Sequence, residues 1–168
     1  MNVLKQFFST AEKVNIMVGN VIRFLIYPLI ALIIYEVTMR YVFNSPPRWG
    51  LEVSSQIFLA YVILSGGYAL LRNQHVSMDL LRNRLSFKSA AIVDLVTYLF
   101  LILFCIAIIW KGTEGAIASC KALEVTQLGR IPLYPVKVLV PVGGLLLLLQ
   151  SVVCYARTIL VVLNRKDS

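Results

Sequence analysis

Residues 95–110 read LVTYLFLILFCIAIIW, sixteen consecutive positions without a charge. Four predominantly apolar stretches lie at about 17–42, 51–71, 89–111 and 136–162, with their few charges mostly toward the ends, and their apolar residues come as runs rather than as one-sided stripes. Runs of that length match the hydrocarbon layer of a bilayer, so the chain reads as an integral membrane protein. Each span must be a helix, because an open sheet in lipid leaves backbone groups without partners and the period-2 alternation of a barrel is absent. The fold class that follows is an all-α membrane protein with four transmembrane helices, forming a single domain over residues 1–168.

Composition supports this and excludes other classes. The chain is 59% hydrophobic and carries a formal net charge of +8. In a soluble domain that charge would suggest nucleic acid. Here the basic residues flank the apolar runs, where they set orientation in a membrane, and no nucleic-acid partner is expected. Cys105, Cys120 and Cys154 are far apart and show neither disulfide nor zinc spacing. His75 is the one histidine, so neither a bis-imidazole haem site nor a Ser-His-Asp triad can be assembled around it. It precedes Asp79 by four residues at the edge of span two, a spacing that suits a hydrogen bond or ion pair. No glycine-rich phosphate loop is present. The sequence therefore predicts no enzyme and no cofactor in this chain.

The N-terminal MNVLKQFFSTAEKV lacks the apolar core and cleavage site of a secretory signal, so the first span is expected to be retained. Leu4, Phe7, Phe8, Ala11, Val14 and Val18 recur at helical spacing, which predicts an amphipathic interfacial helix running on into span one. Met78, Leu81 and Leu85 predict a second surface helix between spans two and three, with Ser86 capping the start of span three. Asp94 reads as an acid opening span three, where it complements the helix dipole. Nine basic residues (Lys5, Lys13, Arg72, Arg82, Arg84, Lys88, Arg157, Arg165, Lys166) fall on one side of the spans. Six (Arg40, Arg48, Lys111, Lys121, Arg130, Lys137) fall on the other, with Arg23 set aside. Both termini are thus predicted to be cytoplasmic.

Two outer segments hold most of the remaining information. The turn NSPPRWG is too short for anything but a tight hairpin between spans one and two. Around it stand Glu36, Arg40, Arg48 and Glu52, with Trp49 as an interfacial anchor. Glu36 is one turn from Arg40 on the same helix face, and an unpaired carboxylate in lipid is costly, so Arg40 is its expected partner. Glu52 is expected to share Arg40 or to meet Arg48, locking the hairpin. The segment 112–135 reads as a partly structured cap. Pro132, Pro135 and Pro141 make the approach to span four extended and then kinked. Ser65, Gly66, Gly67 and Ala69 in span two, and Gly143 with Gly144 in span four, offer close helix contact.

EVTMRYVFNSPPRWGLEVSSQIF, then RNQHVSMDLL, then IPLYPVKVLVPVGGLLLLLQ, together resemble the small membrane subunit, the DctQ-like family, of tripartite ATP-independent periplasmic (TRAP) transporters. The likeness runs from about residue 20 to 158. Arg40, Tyr41, Phe43, Asn44, Pro46, Trp49 and Glu52 match one motif of that family, and His75, Val76 and Asp79 another. Many relatives carry two adjacent acids after the Trp, where this chain has Leu51 before Glu52. The resemblance implies a multi-pass protein of the bacterial inner membrane that pairs with a large multi-span subunit. That subunit moves an organic anion, a carboxylate or sulfonate, by symport with sodium, which would bind there. A soluble periplasmic binding protein delivers the substrate. The small subunit would brace the large one and help dock the binding protein, with Glu36, Arg40, Tyr41, Asn44, Pro46, Trp49, Glu52, His75 and Asp79 as structural or interface positions. The other reading of the residues is a small proton-coupled exporter using Glu36.

Overall fold

The computed structural model describes residues 2–72 and 87–164. Helix α1 covers Asn2–Ile22, α2 Ile26–Tyr41, α3 Gly50–Leu71, α4 Phe87–Ala122 and α5 Tyr134–Asn164. Four segments are long and apolar enough to cross a membrane: Phe8–Tyr41, Gly50–Leu71, Ala90–Ala122 and Tyr134–Leu160. His75, Asp79, Ser86 and the expected surface helix around Met78, Leu81 and Leu85 lie outside the described residues.

The first membrane segment is two helices joined by a 3-10 turn at Arg23–Leu25. Pro28 accounts for the joint. It has no N–H to offer the Phe24 carbonyl four residues back, and its ring crowds that carbonyl, so the chain tightens locally before α2 proceeds. Beyond the end of α2, Asn44, with a φ of 53°, turns the chain so that the Ser45 N–H donates to the Met39 carbonyl at 2.9 Å. Asparagine tolerates this left-handed conformation better than most residues.

α4 differs from the expected span. It continues to Ala122, so residues 112–122 belong to a helix and only 123–133 form a connecting loop. Gly112 explains why the helix carries on: it packs on Val140 and Pro141 of α5, with 3.0 Å between Val140 Cγ1 and the place a Cβ would occupy. The helix ends in a Schellman motif, Glu124 N–H to Ser119 O (3.1 Å) and Leu123 N–H to Cys120 O (3.3 Å). Leu123 holds the left-handed position at φ 47°. Asp94 is likewise not at a helix opening. It is buried, seven residues inside α4, beyond the first turn where an acid meets free N–H groups.

α2 packs on α3, α3 on α5 and α5 on α4, and α1 lies across α3 and α5. Glycine makes the close approaches. A Cβ at Gly143 would meet the side chain of Ile63 and lie 2.7 Å from its carbonyl oxygen, and a Cβ at Gly67 would lie 3.1 Å from the Leu146 carbonyl. The α1 stripe does not lie free: Phe8 and Ala11 are buried against Val153. Asn15 falls on the same stripe. Its Nδ2 donates to the Ala11 carbonyl (3.1 Å), the Leu146 carbonyl (3.4 Å) and Gln150 Oε1 (3.4 Å), while its Oδ1 presses on Gly67. At the end of this contact Arg157 pairs with Glu12 at 2.7 Å.

Candidate functional site at the hairpin and its capping loop

The α2–α3 hairpin is held by packing more than by charge. Glu36 is buried against Gly50, where a Cβ would lie 2.6 Å from its Cγ. Arg40 Nη2 stands 3.7 Å from Glu36 Oε1, with half of the arginine side chain exposed. The expected pair therefore forms, as a long contact rather than a close hydrogen bond. Ser54 Oγ is 3.5 Å from Glu36 Oε2 but 3.0 Å from the Gly50 carbonyl. Its single proton favours the shorter contact. Beside this contact, the rings of the adjacent residues Tyr35 and Trp49 stack at 6.2 Å.

Glu52 corrects the sequence expectation. It meets neither Arg40 nor Arg48. Its carboxylate accepts from Thr126 Oγ1 (2.5 Å), the Leu128 N–H (3.0 Å) and the Gly129 N–H (2.7 Å), all in the loop between α4 and α5. The reason is helical geometry. Ser54 faces α2, and Glu52, two residues and about 200° away, faces α5 instead. The loop closes around this carboxylate. Thr126 N–H donates to the Ile131 carbonyl (2.8 Å), Ile131 N–H returns to Thr126 Oγ1 (3.0 Å), and Leu133 N–H donates to the Glu124 carbonyl (2.9 Å).

A second tether joins the loop to α5: Lys137 Nζ donates to Glu124 Oε2 at 2.5 Å. The Lys137 ammonium holds the Glu124 carboxyl below the usual carboxylate range. Pro132 lies within this loop, bridged to Val125, and Pro135 sits in the first turn of α5, where its missing N–H costs no helical bond. Pro141 stands inside the helix.

The remaining motif residues are mostly outward. Tyr41, Asn44, Pro46, Arg48 and Trp49 are exposed around the turn, and Arg48 and Arg130 make no ion pair among the described residues. Sequence reasoning missed Thr126 as a ligand of Glu52, Gly50 as the floor under Glu36, and the Asn15–Gln150 contact. For Asn15 a signal was present, since it interrupts the apolar stripe of α1. For Thr126 there was none, because the contact joins residues far apart in the chain.

Residues 29–160 match the family model for tripartite ATP-independent periplasmic transporters, DctQ component. The chain belongs to the DctQ family. No curated relative matches it. DctQ is a component of TRAP transporters and not an enzyme family, and with four helices fit to cross a bilayer this DctQ chain is a multi-pass membrane protein. In this DctQ chain the hairpin motif and the loop 123–133 lie at the same end of the bundle and are joined through Glu52.

Proposed function

We propose that this DctQ chain is the fixed scaffold subunit of a TRAP-type uptake system in the bacterial inner membrane, with both termini cytoplasmic. It braces a large multi-span subunit that carries an organic anion with sodium. Its hairpin and capping loop form part of the surface on which a periplasmic binding protein docks.

The observation that carries this reading is how the polar groups inside the bundle are used. Asn15 presses on Gly67 and Glu36 on Gly50, each with no room for even a methyl group between. Close packing of that kind suits a brace and leaves no gap for a solute at either contact. Glu36 also packs directly on the first residue of α3, at the hairpin, which speaks against the exporter reading, where the acid must be open to water from both sides. Uptake in proteoliposomes tests the proposal. Transport is expected only when this chain, the large subunit and the binding protein are combined. Uptake by this chain alone, abolished by Glu36→Gln, would establish the exporter instead.

A further inference from the structure

The helix contacts fix which residues of neighbouring helices stand at equal height. Glu36 meets Gly50 and Gly19 meets Tyr68, which sets α1 and α2 against α3. Ile63 meets Gly143 and Gly66 meets Leu147, which sets α3 against α5. Ile108 meets Gly144, and Gly112 meets Pro141, which sets α4 against α5. On this common scale the stretches without charge, 24–35 in the first segment, 53–71 in α3, 138–156 in α5 and 95–110 in α4, are not level.

The centre of the first stretch, near Ile30, stands level with Ile57, whereas the centre of the α3 stretch is Val62. Val62 stands level with Val142, whereas the α5 stretch centres on Leu147. The α4 stretch centres near Ile102, level with Gln150. Every step across the row α2, α3, α5, α4 displaces the apolar centre in one direction, by about 3–5 residues, which accumulates to roughly 20 Å at 1.5 Å per residue. Neighbouring axes are about 8–10 Å apart, so the apolar band slants at about 35° to the plane perpendicular to the helices.

We infer that the bilayer crosses this helix row obliquely, with α1 lying along one of its surfaces. Helices in membranes tilt from 0 to about 40°, so the inclination is steep but within their range. α1 supplies an independent observation. It leaves α2 at Arg23 and reaches Arg157 through Glu12, and Arg23, Arg72 and Arg157 close the apolar stretches of successive helices at that end. Its surface divides into three sectors. Phe8, Ala11, Asn15 and Gly19 face the protein. Gln6, Ser9, Lys13 and Asn20 form an exposed polar sector, with Ile16 at its edge, and Val14, Met17 and Val21 an exposed apolar one. A helix with one side on protein, one polar and one apolar fits a headgroup boundary, its apolar sector in the acyl region and Lys13 among the phosphates. The inference rests on the helices crossing a bilayer and not on the transporter role.

The two tryptophans of the chain test it. Trp49 and Trp110 differ in height along the bundle by about 20 Å, yet each flanks the end of an apolar stretch beside a cation, Arg48 or Lys111. The full chain is reconstituted as Trp49→Phe and Trp110→Phe in bilayers of lipids brominated at different acyl depths, and the remaining tryptophan's quenching depth is measured. The slanted setting brings the two depths to within about 8 Å of each other, with Trp49 the farther from the bilayer centre, and depths about 20 Å apart would overturn it. Nitroxides at Ile30→Cys and Ile117→Cys provide a second measurement in a chain carrying Cys120→Ser. Both positions are exposed and stand at equal height. The slant puts Ile30 at mid-bilayer, accessible to oxygen, and Ile117 in water, accessible to a nickel chelate. Equal accessibility at the two sites would refute it.

Discussion

The Gly129 N–H donates to Glu52 Oε2 at 2.7 Å across 77 residues of chain, and a Cβ at Gly129 would lie 2.6 Å from that same oxygen. The hydrogen bond and the lack of a side chain are one requirement: the loop backbone must come within hydrogen-bond reach of a carboxylate. Trp49 Cβ, 3.1 Å from the same point, and Ile131 Cδ1, 3.0 Å from it, leave no direction of escape. Gly129→Ala is therefore expected to lift the loop off α3. Hydrogen exchange at Leu128 and Gly129 should accelerate by about tenfold or more, as should exchange in Glu52→Gln, where an amide N–H would face other donors. Unchanged protection in both variants would show that the loop is held elsewhere.

The α3–α5 contact predicts a contrast between two glycines. A Cβ at Gly143 would overlap Ile63, including its backbone, whereas a Cβ at Gly115 meets nothing within 4 Å. Gly143→Ala should destabilise the protein by about 1–3 kcal/mol, because backbone cannot move aside as a side-chain tip can. Gly115→Ala should be neutral or stabilising by up to about 1 kcal/mol, since alanine favours the helix. Thermal unfolding in detergent, with both variants side by side, measures the difference.

These contacts also show what the sequence could and could not reveal. Long, predominantly apolar runs disclose spans directly, because the hydrocarbon layer sets their length, and the NSPPRWG turn disclosed the hairpin between α2 and α3. The Glu36–Arg40 contact was legible for a similar reason: it is local, one helical turn apart. Glu52 was misassigned because its choice of partner depends on which helix packs against its face, and nothing near it in the chain encodes Thr126. The end of α4 was placed too early because Lys111 and Gly112 look like a boundary. In the fold Lys111 pairs with Glu114 on the helix surface and Gly112 is a contact point for Pro141.

The Glu124–Lys137 tether predicts a pH dependence. The carboxyl in the folded chain titrates below its ordinary value, so its contribution is complete above the ordinary carboxylate range and is lost as pH falls through the depressed value. At neutral pH the loop stays tied to α5, and acid releases it. Lys137→Gln removes the first cause of the depression, so release should begin at higher pH in that variant. A nitroxide at the exposed Leu128, followed by its mobility as pH is lowered, reports the transition. Coincident profiles for the two proteins would show that Glu124 does not control the loop.

Leu123 is a side chain in a place that favours glycine. At φ 47° it closes the Schellman motif at the end of α4, and 72% of it is exposed, so its packing does not offset the backbone cost. A left-handed residue with a Cβ costs about 1–2 kcal/mol, and the freedom that glycine adds to the unfolded chain returns part of that. Leu123→Gly should therefore stabilise the isolated chain by about 0.5–1 kcal/mol, read as a rise in Tm. Co-purification with the large subunit, measured on the same variant, separates two reasons for a leucine there. If Tm rises while co-purification falls, the strain is kept for a contact made by the exposed side chain. If Tm rises and co-purification is unchanged, Leu123 serves no partner. A lower Tm would mean that Leu123 packs against something in the folded chain that its exposure conceals.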